Sequence, residues 1–402
     1  MLNFKRLTLL SLLAFTTISI SACGKTEENT TSNTTENPPD IQYTNTTYKN
    51  SIQFDIGKGE KGFGPCADPF CLKADDGYYY LYSTNETIFR GDDSGFRFDY
   101  GPIWRSIDLV NWTYVGSVFD GQEDVLKWGQ QYAGVVPGVW APNVVKIADQ
   151  YNYYYTLSAG SSYNPGIGVA TAPTPYGPWT HYGKVFDSEE IGVYNSSDQD
   201  VFVDDDGSVW MIWGSGDGIY VAEMSPGIDM YGGLSYAKEN MHKIAGWGWV
   251  QGSIDNFEAA HIVKKDGYFY LFLSLGGWDG GIDAGYHVVV AKSQSLLGGF
   301  KDSLGNDMMS PGDGDIVVTN NREFATGVGH CSVVKDDIGD YWIVYHGYDQ
   351  TSSNKNTRTL FIDQLLWDEK TSMPYVKDKV ASSYEHLGPT YIVKEKKKEE
   401  QY

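Results

Sequence analysis

The chain has 402 residues, 41% of them hydrophobic, and a formal net charge of -22, so it is long enough for one large all-β domain or two ordinary domains and is not disordered overall. Acidic residues outnumber basic ones by 52 to 30, which argues against nucleic acid as a partner because phosphate binding needs a basic surface. The 30 Tyr, 12 Trp and 46 Gly favour short strands joined by turns over helical bundles.

The first residues predict secretion. Residues 1–22 combine a positively charged start with an apolar run that is too short for a comfortable membrane span. The residues before Cys23 resemble a bacterial lipobox, so we expect a lipoprotein anchored at the cell envelope through Cys23, with plain cleavage before Cys23 as the alternative. Residues 23–48 are rich in Thr, Asn, Glu and Pro, which predicts a disordered tether. The folded domain is predicted over 49–393 and a charged tail over 394–402.

Three further cysteines lie in the predicted domain, at Cys66, Cys71 and Cys331. A bridge between Cys66 and Cys71 is possible in an oxidising compartment. Buried free thiols are at least as good an interpretation, because the number of cysteines is odd. Their spacing does not resemble a zinc site.

One hairpin pattern recurs five times along the chain. A polar residue opens each unit, Gly (once Asn) follows nine positions later, and five mostly β-branched, aromatic or aliphatic residues come next. The opening residues are Asp68, Asn143, Asp198, Glu258 and His330. The Gly or Asn supplies the positive φ of a turn, and an aromatic-rich strand returns. Spacings of 75, 55, 60 and 72 residues between the units leave room for four strands each.

Five such sheets predict an all-β, five-bladed β-propeller, in which radial packing protects the sheet edges. A β-sandwich is the competing fold, but it does not readily explain one hairpin repeated five times. If the first strand of each unit is the innermost strand of its blade, the five opening residues form a ring near one mouth of the axis. Any one of them alone is more simply a strand-start residue facing water. Five polar residues in equivalent positions indicate a pocket.

Three carboxylates, an amide and an imidazole around one pocket suit the hydrolysis of a glycosidic bond in a neutral, hydroxyl-rich substrate. One carboxylic acid protonates the departing oxygen, while a carboxylate activates water or attacks directly. Crowding of like charges raises one pKa and keeps a proton available near neutral pH. The sequence contains no Gly-rich phosphate loop, HExxH pair or GxSxG elbow, so kinase, zincin and serine-hydrolase functions lack support.

Taken in order, the short motifs resemble glycoside hydrolase family 43, the five-bladed inverting arabinanases, arabinofuranosidases and xylosidases. The resemblance runs from about Asp55 to Tyr375. The matching segments are Ala67-Asp68-Pro69, Ser106 to Trp112, Trp140 to Val144, Asp198 to Phe202, Glu258-Ala259-Ala260-His261, Gly329-His330 and Arg358 to Asp368. The chain departs from the family pattern at Gln199, where Pro is common, and at Cys331, where a polar residue is more usual.

The resemblance implies that Asp68 is the general base, that Glu258 is the general acid, and that Asp198 orients the acid and tunes its pKa. An inverting mechanism predicts that the Asp68 and Glu258 carboxyl groups lie about 6.5–9.5 Å apart, which leaves room for a water. No cofactor is required. The resemblance also implies a possible structural calcium ion that His330 faces through water.

Other side chains are candidates for binding the sugar. The expected substrate-binding residues are Trp140, Asn143, Arg358 and Trp278. Arg358 either binds a sugar hydroxyl or forms a buried ion pair with an Asp. Trp247 and Trp249 either line the cleft or plug the space between blades, and Tyr286 and His287 either rim the cleft or pack in the core.

We therefore expect an endo-1,5-arabinanase-like enzyme that cleaves α-L-arabinosidic bonds in arabinan or arabino-oligosaccharides. Arabinose is favoured because the last family-like segment lies about 25 residues from the end of the sequence, whereas xylosidases of the family commonly carry a further β-sandwich there. An arabinofuranosidase or β-xylosidase is the alternative. A non-catalytic glycan-binding lipoprotein is an alternative of another class, although binding alone does not need three carboxylates.

Overall fold

A computed structural model describes most of the chain beyond the N-terminal segment. The described residues are 41–56, 60–90, 95–121, 124–125, 138–157, 164–225, 228–247 and 257–393. The predicted signal peptide, Cys23 and the charged tail at 394–402 lie outside them. Within these ranges, no helix is both long enough and apolar enough to cross a membrane.

Strands dominate the fold. The first three are β1 (Tyr43–Tyr48), β2 (Phe54–Asp55) and β3 (Lys61–Gly62). Blade 1 is the antiparallel sheet of β4 (Phe70–Lys73), β5 (Tyr79–Tyr82), β8 (Pro102–Ser106) and β9 (Thr113–Ser117), and the hairpin β6 (Glu86–Phe89) and β7 (Phe96–Asp99) extends from it. Blade 2 consists of β10 (Val139–Ile147), β11 (Gln150–Leu157), β12 (Gly166–Ala172) and β13 (Thr180–Asp187).

The other three blades repeat this order. Blade 3 consists of β14 (Asp200–Val203), β15 (Val209–Trp213), β16 (Ile219–Met224) and β17 (His242–Ala245). Blade 4 consists of β18 (Glu258–Lys265), β19 (Tyr268–Leu275), β20 (His287–Ser293) and β21 (Asp315–Val318). Blade 5 consists of β22 (Ala325–Lys335), β23 (Tyr341–Asp349), β24 (Thr359–Trp367) and β25 (Pro374–Val376), and β26 (His386–Ile392) follows. Among the described residues, the connections between strands include the short helices α1 (Ser188–Ile191) and α2 (Gly233–Asn240). They also include the 3₁₀ turns Gly281–Asp283 and Lys377–Lys379.

The five blades close into a ring. The first strand of each blade contacts the first strand of the next blade, and β22 of blade 5 contacts β4 of blade 1. Within each blade the four strands pair antiparallel, in the order in which they follow one another along the chain. The predicted five-bladed β-propeller is therefore confirmed, and the competing β-sandwich is wrong.

The hydrophobic core consists of five clusters, one at each interface between neighbouring blades. On β5, Tyr79 and Leu81 pack against blade 5, whereas Tyr80 and Tyr82 pack against blade 2. Successive side chains of a strand point to opposite faces, so a strand packed on both faces needs apolar residues at every position. This explains why the repeated strands read as continuous aromatic and aliphatic runs.

Both ends of the described chain support blade 5. Strand β1 pairs antiparallel with β26, and the Ile52 N–H donates to the Leu360 carbonyl oxygen at 2.9 Å. Tyr48 is buried and packs edge-to-face on Trp342. The prediction of a tether up to residue 48 is thus wrong for β1, whose mostly exposed residues pair through their backbone with β26.

The structure also decides between the two interpretations of the cysteines. Cys66, Cys71 and Cys331 are all buried free thiols. The possible bridge between Cys66 and Cys71 is not formed. Burial raises the pKa of each thiol, so all three remain protonated members of the core.

Turn length changes the register of the repeat between blades. Blades 1, 3 and 5 have five-residue connections between their first two strands, and their opening residues Asp68, Asp198 and His330 have φ values of 52°, 54° and 51°. Blades 2 and 4 have two-residue turns. Their residues with the same left-handed backbone are Ala141, at φ 46°, and Ala259, at φ 55°. Counting nine positions back from Asn152 misplaces the opening residue of blade 2 by two positions, because Asn152 lies in β11 and the turn is at 148–149. In blade 4 the same count from the turn glycine misplaces it by one.

Candidate active site

A cavity of about 530 Å³ lies where the first strands begin, at one end of the propeller axis. Every blade contributes to its wall. The contributions from the strand starts are Ala67 and Asp68, Trp140, Ser197 and Asp198, Glu258, and His330. We call this space the axial cavity. At each strand start the axial cavity is lined by the left-handed residue, by the residue before it, or by both. A β-bulge turns the chain at this point in blades 2, 4 and 5.

Asp68 is the most strongly paired carboxylate of the axial cavity. Arg358 Nη1 donates to its Oδ1 at 2.8 Å, and Thr84 Oγ1 donates to its Oδ2 at 2.6 Å. Burial raises the pKa of Asp68, but the nearby Arg358, His330 and His346 side chains outweigh burial and hold it below its usual range. Asp68 is therefore ionised at any ordinary pH.

Glu258 has two hydroxyl partners. Tyr286 Oη donates to its Oε1 at 2.7 Å, and Ser215 Oγ donates to its Oε2 at 2.8 Å. Burial raises the pKa of Glu258 and the Asp68 carboxylate raises it further, while the two hydroxyl donors lower it. The net result is a pKa above the ordinary value of a glutamate.

Asp198 lies in the same wall as Glu258. Burial raises its pKa well above the ordinary value, and the carboxylates of Glu258 and Asp68 add to that rise. The Ala259 N–H stabilises the ionised form of Asp198 by a hydrogen bond. Because the pKa is raised for both Asp198 and Glu258, this pair retains a proton at pH values where ordinary carboxyl groups are ionised.

His330 borders the general-base candidate. The His330 Nδ1 lies 3.3 Å from Asp68 Oδ1, and the His330 backbone N–H donates to Ser274 Oγ at 2.8 Å. Burial lowers the pKa of His330. Among the residues that the structure describes, no group of three or more His, Cys, Asp or Glu side chains is placed to hold a metal ion. Calcium prefers six to eight oxygen ligands, so the protein donors near His330 do not by themselves form a calcium site, and the water-held ion stays a prediction.

Two tryptophans and an arginine line the axial cavity. Trp140 and Trp278 line it and are 45% and 44% exposed. The Arg358 guanidinium lies 4.7 Å from the centroid of the Trp278 ring. Arg358 thus lines the axial cavity and also forms an ion pair with Asp68. The ion pair with an Asp is therefore formed, and binding of a sugar hydroxyl by Arg358 stays a prediction.

Asn143 lies away from the axial cavity. It is buried one step further along the axis, where its Nδ2 donates to Asp200 Oδ1 at 2.7 Å. Asp200 also lies 3.1 Å from His261 Nδ1 and accepts the Ile262 N–H at 2.8 Å. The expected substrate-binding residue Asn143 therefore lies outside the wall of the axial cavity, to which the same strand contributes Trp140 instead. Asn143 instead links blade 2 to blades 3 and 4.

The remaining aromatic candidates divide between core and site. Trp247 packs on Phe257 with ring centroids 5.4 Å apart and joins the core between blades 3 and 4. Trp249 lies outside the described residues. Tyr286 is buried beside Glu258, while His287 is partly exposed and its Nδ1 contacts the Gly285 carbonyl oxygen.

Sequence reasoning missed one set of residues in this region. They are Thr84, Thr156, Ser274 and His346, and each accepts the N–H of the left-handed residue of the following blade. In blades 2 and 4 these residues lie seven positions after the two-residue turn, and in blades 1 and 5 six positions after the five-residue connection. A polar residue at this nearly constant distance from the turn is a signal that could have identified them. Ser215 lies seven positions after the five-residue connection of blade 3, one position off this pattern.

Comparison with known proteins identifies relatives over most of the chain. The model of glycosyl hydrolases family 43 matches residues 63–372. An extracellular exo-alpha-(1→5)-L-arabinofuranosidase of Cellvibrio japonicus is 30% identical over 322 residues, covering 73% of this chain and 86% of that protein. An extracellular endo-alpha-(1→5)-L-arabinanase of Bacillus subtilis is 27% identical, covering 75% of this chain and 84% of that protein.

Solved structures agree with these relatives. A Cellvibrio cellulosa alpha-L-arabinanase complexed with arabinohexaose has a TM-score of 0.64 at 26% identity, over 79% of this chain and 96% of that chain. An endo-arabinanase of Bacillus licheniformis has a TM-score of 0.63 at 26% identity, over 79% of this chain and 99% of that chain.

Proposed function

The chain belongs to glycoside hydrolase family 43 and is a glycosidase, and from this premise we propose that it hydrolyses α-1,5-linked L-arabinosyl bonds in arabinan or arabino-oligosaccharides with inversion. The observation that carries the proposal is the convergence of Asp68, Asp198 and Glu258 on one cavity. The half-exposed rings of Trp140 and Trp278 in its wall suit a neutral sugar. Arabinan is chosen because the relatives cited above are named as enzymes that act on L-arabinose-containing chains.

Asp68 acts as general base in this proposal. Its pairing with Arg358 keeps it ionised, and its two oxygens accept from Arg358 and Thr84 while leaving acceptor sites for a water. The water oxygen forms a bond to the anomeric carbon, and Asp68 takes the proton that the water loses. Attack from the side opposite the departing oxygen inverts the anomeric configuration.

Glu258 acts as general acid. It gives its proton to the glycosidic oxygen as the bond from that oxygen to the anomeric carbon breaks. Asp198 is the neighbour that keeps the Glu258 pKa high, because two carboxylates in one buried wall do not readily ionise together. After one turnover Asp68 holds a proton and Glu258 lacks one, and exchange with solvent restores both.

The substrate-binding surface consists of Trp140, Trp278 and Arg358 in this proposal. Sugar rings stack on the exposed tryptophan faces, and the Arg358 guanidinium donates to a sugar hydroxyl while it remains paired with Asp68. The relatives include an exo-acting and an endo-acting enzyme. An exo-acting arabinofuranosidase is therefore the second candidate, and product length separates the two.

The test is incubation of the purified protein with linear arabinan, branched arabinan, arabinoxylan and xylo-oligosaccharides, with chromatographic separation of the products. Release of arabino-oligosaccharides or arabinose by the wild type, but not by Glu258→Gln or Asp68→Asn of unchanged fold, supports the proposal. Substantial activity in either variant contradicts the assigned roles. Xylose alone indicates a β-xylosidase, and binding of sugars without any product indicates a glycan-binding protein.

Inversion has its own readout. Proton NMR during the first minutes of hydrolysis of an α-L-arabinofuranoside is expected to show the β anomer first, with the α anomer growing only by mutarotation. Appearance of the α anomer first would mean a retaining mechanism and a nucleophilic carboxylate. The assay needs no knowledge of chain length or branching.

We also propose that the enzyme acts outside the cytoplasm as a lipoprotein anchored through Cys23. The support is the signal-like segment at 1–22, the lipobox-like residues before Cys23, and the extracellular designation of the relatives. Labelling of the full chain with a radioactive fatty acid in a bacterial host is expected to give a labelled envelope protein. The Cys23→Ala variant is expected to lose the label, and a labelled variant would contradict the anchor.

A further inference from the structure

Two buried aromatic rings lie between the proposed base and the proposed acid. Tyr286 is 1% exposed and His346 is 0% exposed. Their ring planes are inclined by only 13°, with centroids 5.7 Å apart. Tyr286 Oη donates to Glu258 Oε1 at 2.7 Å, and His346 Nδ1 accepts the Asp68 N–H at 3.0 Å. The stacked rings therefore touch the acid at one end and the base at the other.

His346 is an exception to the internal repeat. At the equivalent positions of blades 1, 2 and 4, the acceptor for the N–H of the next blade is a hydroxyl, of Thr84, Thr156 and Ser274. Only the position beneath the base carries an imidazole. A serine or threonine would satisfy the Asp68 N–H equally well, so the acceptor alone does not account for the histidine. What the imidazole adds is a flat ring that reaches Tyr286.

On its other face, the Tyr286 ring lies against Gly329, where there is no room for a side chain. A Cβ atom on Gly329 would lie 2.2 Å from Tyr286 Cδ1. No side chain fits at that distance, so a residue other than glycine at 329 would displace the Tyr286 ring from its contact with Glu258. The Tyr286 ring is thus held between the Gly329 backbone and the His346 imidazole.

We propose that Tyr286 and His346 are a pair of positioning residues that sets the spacing between the general base and the general acid, and that the Tyr286 hydroxyl sets the upper pH limit of activity. The inference rests on the proposed roles of Asp68 and Glu258. Neither ring lines the axial cavity, so Tyr286 acts through the Glu258 carboxyl group and His346 acts through the backbone N–H of Asp68.

The direction of the pH effect follows from the groups that face Glu258. Ser215 and Tyr286 donate to it and Arg358 lies nearby, and all three favour its ionised form, while burial and the carboxylates of Asp68 and Asp198 favour the protonated form. Burial raises the pKa of the Tyr286 hydroxyl well above its ordinary value, so it remains a donor. Removing that donor raises the pKa of Glu258. The acid must be protonated to act, so the alkaline limb of the pH profile moves to higher pH.

His346 offers two complementary variants. Burial keeps the pKa of His346 well below its ordinary value, so Nδ1 remains an acceptor. His346→Asn places an amide oxygen near the position of Nδ1 and removes the ring, whereas His346→Phe keeps the ring and removes the acceptor. If both functions matter, each variant loses turnover. If the position needs only an acceptor, the asparagine variant behaves like the wild type.

The kinetic test measures kcat and KM on linear arabinan from pH 4 to 9 for the wild type, Tyr286→Phe, His346→Asn and His346→Phe. Tyr286→Phe is expected to move the alkaline limb up by about one pH unit. Each His346 variant is expected to lower kcat about 10-fold with KM changed by less than about twofold, because misplacing the carboxyl groups affects the transition state more than binding. Tyr153→Phe, in the buried interface of blades 1 and 2, is the matched control. It is expected to leave the acid and alkaline limbs of the pH profile unchanged.

A second measurement is independent of catalysis. Carbon NMR of protein labelled at the glutamate carboxyl, with Glu258→Gln to identify the resonance, reports the titration of Glu258 directly. An upward shift of about one pH unit in Tyr286→Phe but not in Tyr153→Phe supports the inference even if arabinan is not the substrate. A Glu258 titration that is unmoved or lowered, or a His346→Asn variant with wild-type kcat, overturns it. Absence of hydrolysis in the wild type with a shifted titration would count against the proposed substrate alone.

Discussion

Arg358 is the cation that keeps the proposed base ionised, and its removal tests the electrostatics of the axial cavity. Arg358 Nη1 lies 2.8 Å from Asp68 Oδ1, and the two side chains are only 19% and 12% exposed. Arg358→Met retains most of the side-chain length and removes the charge. Asp68 then stays buried without its strongest partner, and burial, which acts to raise its pKa, is opposed less strongly, by His330, His346 and Thr84.

The size of the effect follows from the burial of the pair. Removing one partner of a buried ion pair costs about 3–5 kcal/mol. For a folded body of residues 41–393, an unfolding entropy of roughly 0.7 kcal/mol per kelvin converts this loss to a fall in Tm of about 4–7 °C near neutral pH. The loss of a neighbouring cation also raises the pKa of Asp68 by about 1–3 units, so the acid limb of kcat/KM moves up by a similar amount.

The pH dependence of stability has a definite sign. In the wild type the folded-state pKa of Asp68 lies below the unfolded value, so its contribution is present above about pH 4 and is lost as the pH falls through the folded-state pKa. In Arg358→Met the folded-state pKa moves up towards the unfolded value, so much of that contribution is lost. The variant is therefore weakest, relative to the wild type, above about pH 4, and the difference in Tm narrows as the pH falls below about 4.

The assay is thermal unfolding at intervals from about pH 2 to pH 8, paired with kcat/KM on arabinan over the same range. Arg358→Lys retains the charge and is expected to show a smaller effect of the same sign. Arg105→Met, which removes an exposed arginine that lies over the Tyr78 ring, is the matched control. A difference in Tm that stays constant from pH 7 down to about pH 2, with an unmoved acid limb, would refute the reasoning.

Three other expectations concern single side chains. Burial raises the pKa of Asp363 to about 6 despite its hydrogen-bond donors. Its favourable contribution to folding stability is therefore present below about pH 4 and lost as the pH rises through 6. Between pH 4 and pH 7, Asp363→Asn should gain about 3 kcal/mol of stability relative to the wild type, and parallel Tm curves would contradict this. Trp278→Ala removes an exposed stacking face and should raise KM for arabino-oligosaccharides about fivefold with little change in kcat; an unchanged KM would place the sugar elsewhere. Asp200→Ala leaves the Asn143 amide and the Ile262 N–H without their acceptor and should cost about 3 kcal/mol in urea unfolding, whereas Asp205→Ala in an exposed turn should cost almost nothing.

The hairpin repeat allowed the blade number to be predicted because its cause is local. A strand that packs against a neighbour on each face must be apolar at every position, and the turn before it needs a residue of positive φ. Tyr79 to Tyr82 after Gly77 show both features. The polar residue at the start of each unit was also visible in the sequence, and Asp68, Asp198 and His330 line the axial cavity as expected.

The failures of prediction have local causes as well. Asn143 was misplaced because Asn152, taken as the turn residue of blade 2, lies in β11, and the two-residue turn is at 148–149. Glu258 reaches the axial cavity although it precedes the left-handed residue of its blade, Ala259. The strand β1 was assigned to a tether because its residues are mostly polar and exposed, and its pairing with β26 joins distant parts of the chain.

The number of blades, the hairpin in each blade and the polar residues at one end of the axis depend on residues within about ten positions of one another, so they could be predicted from the sequence. Which of these polar groups share one cavity, and which groups each carboxyl group faces, depends on contacts between distant parts of the chain. Asp68 meets Arg358 across 290 positions of sequence, and Glu258 meets Tyr286 across 28 and Ser215 across 43. The pKa of a buried carboxyl group depends on its burial and on the charges and donors within a few ångströms, and those neighbours come together only when the ring of blades closes.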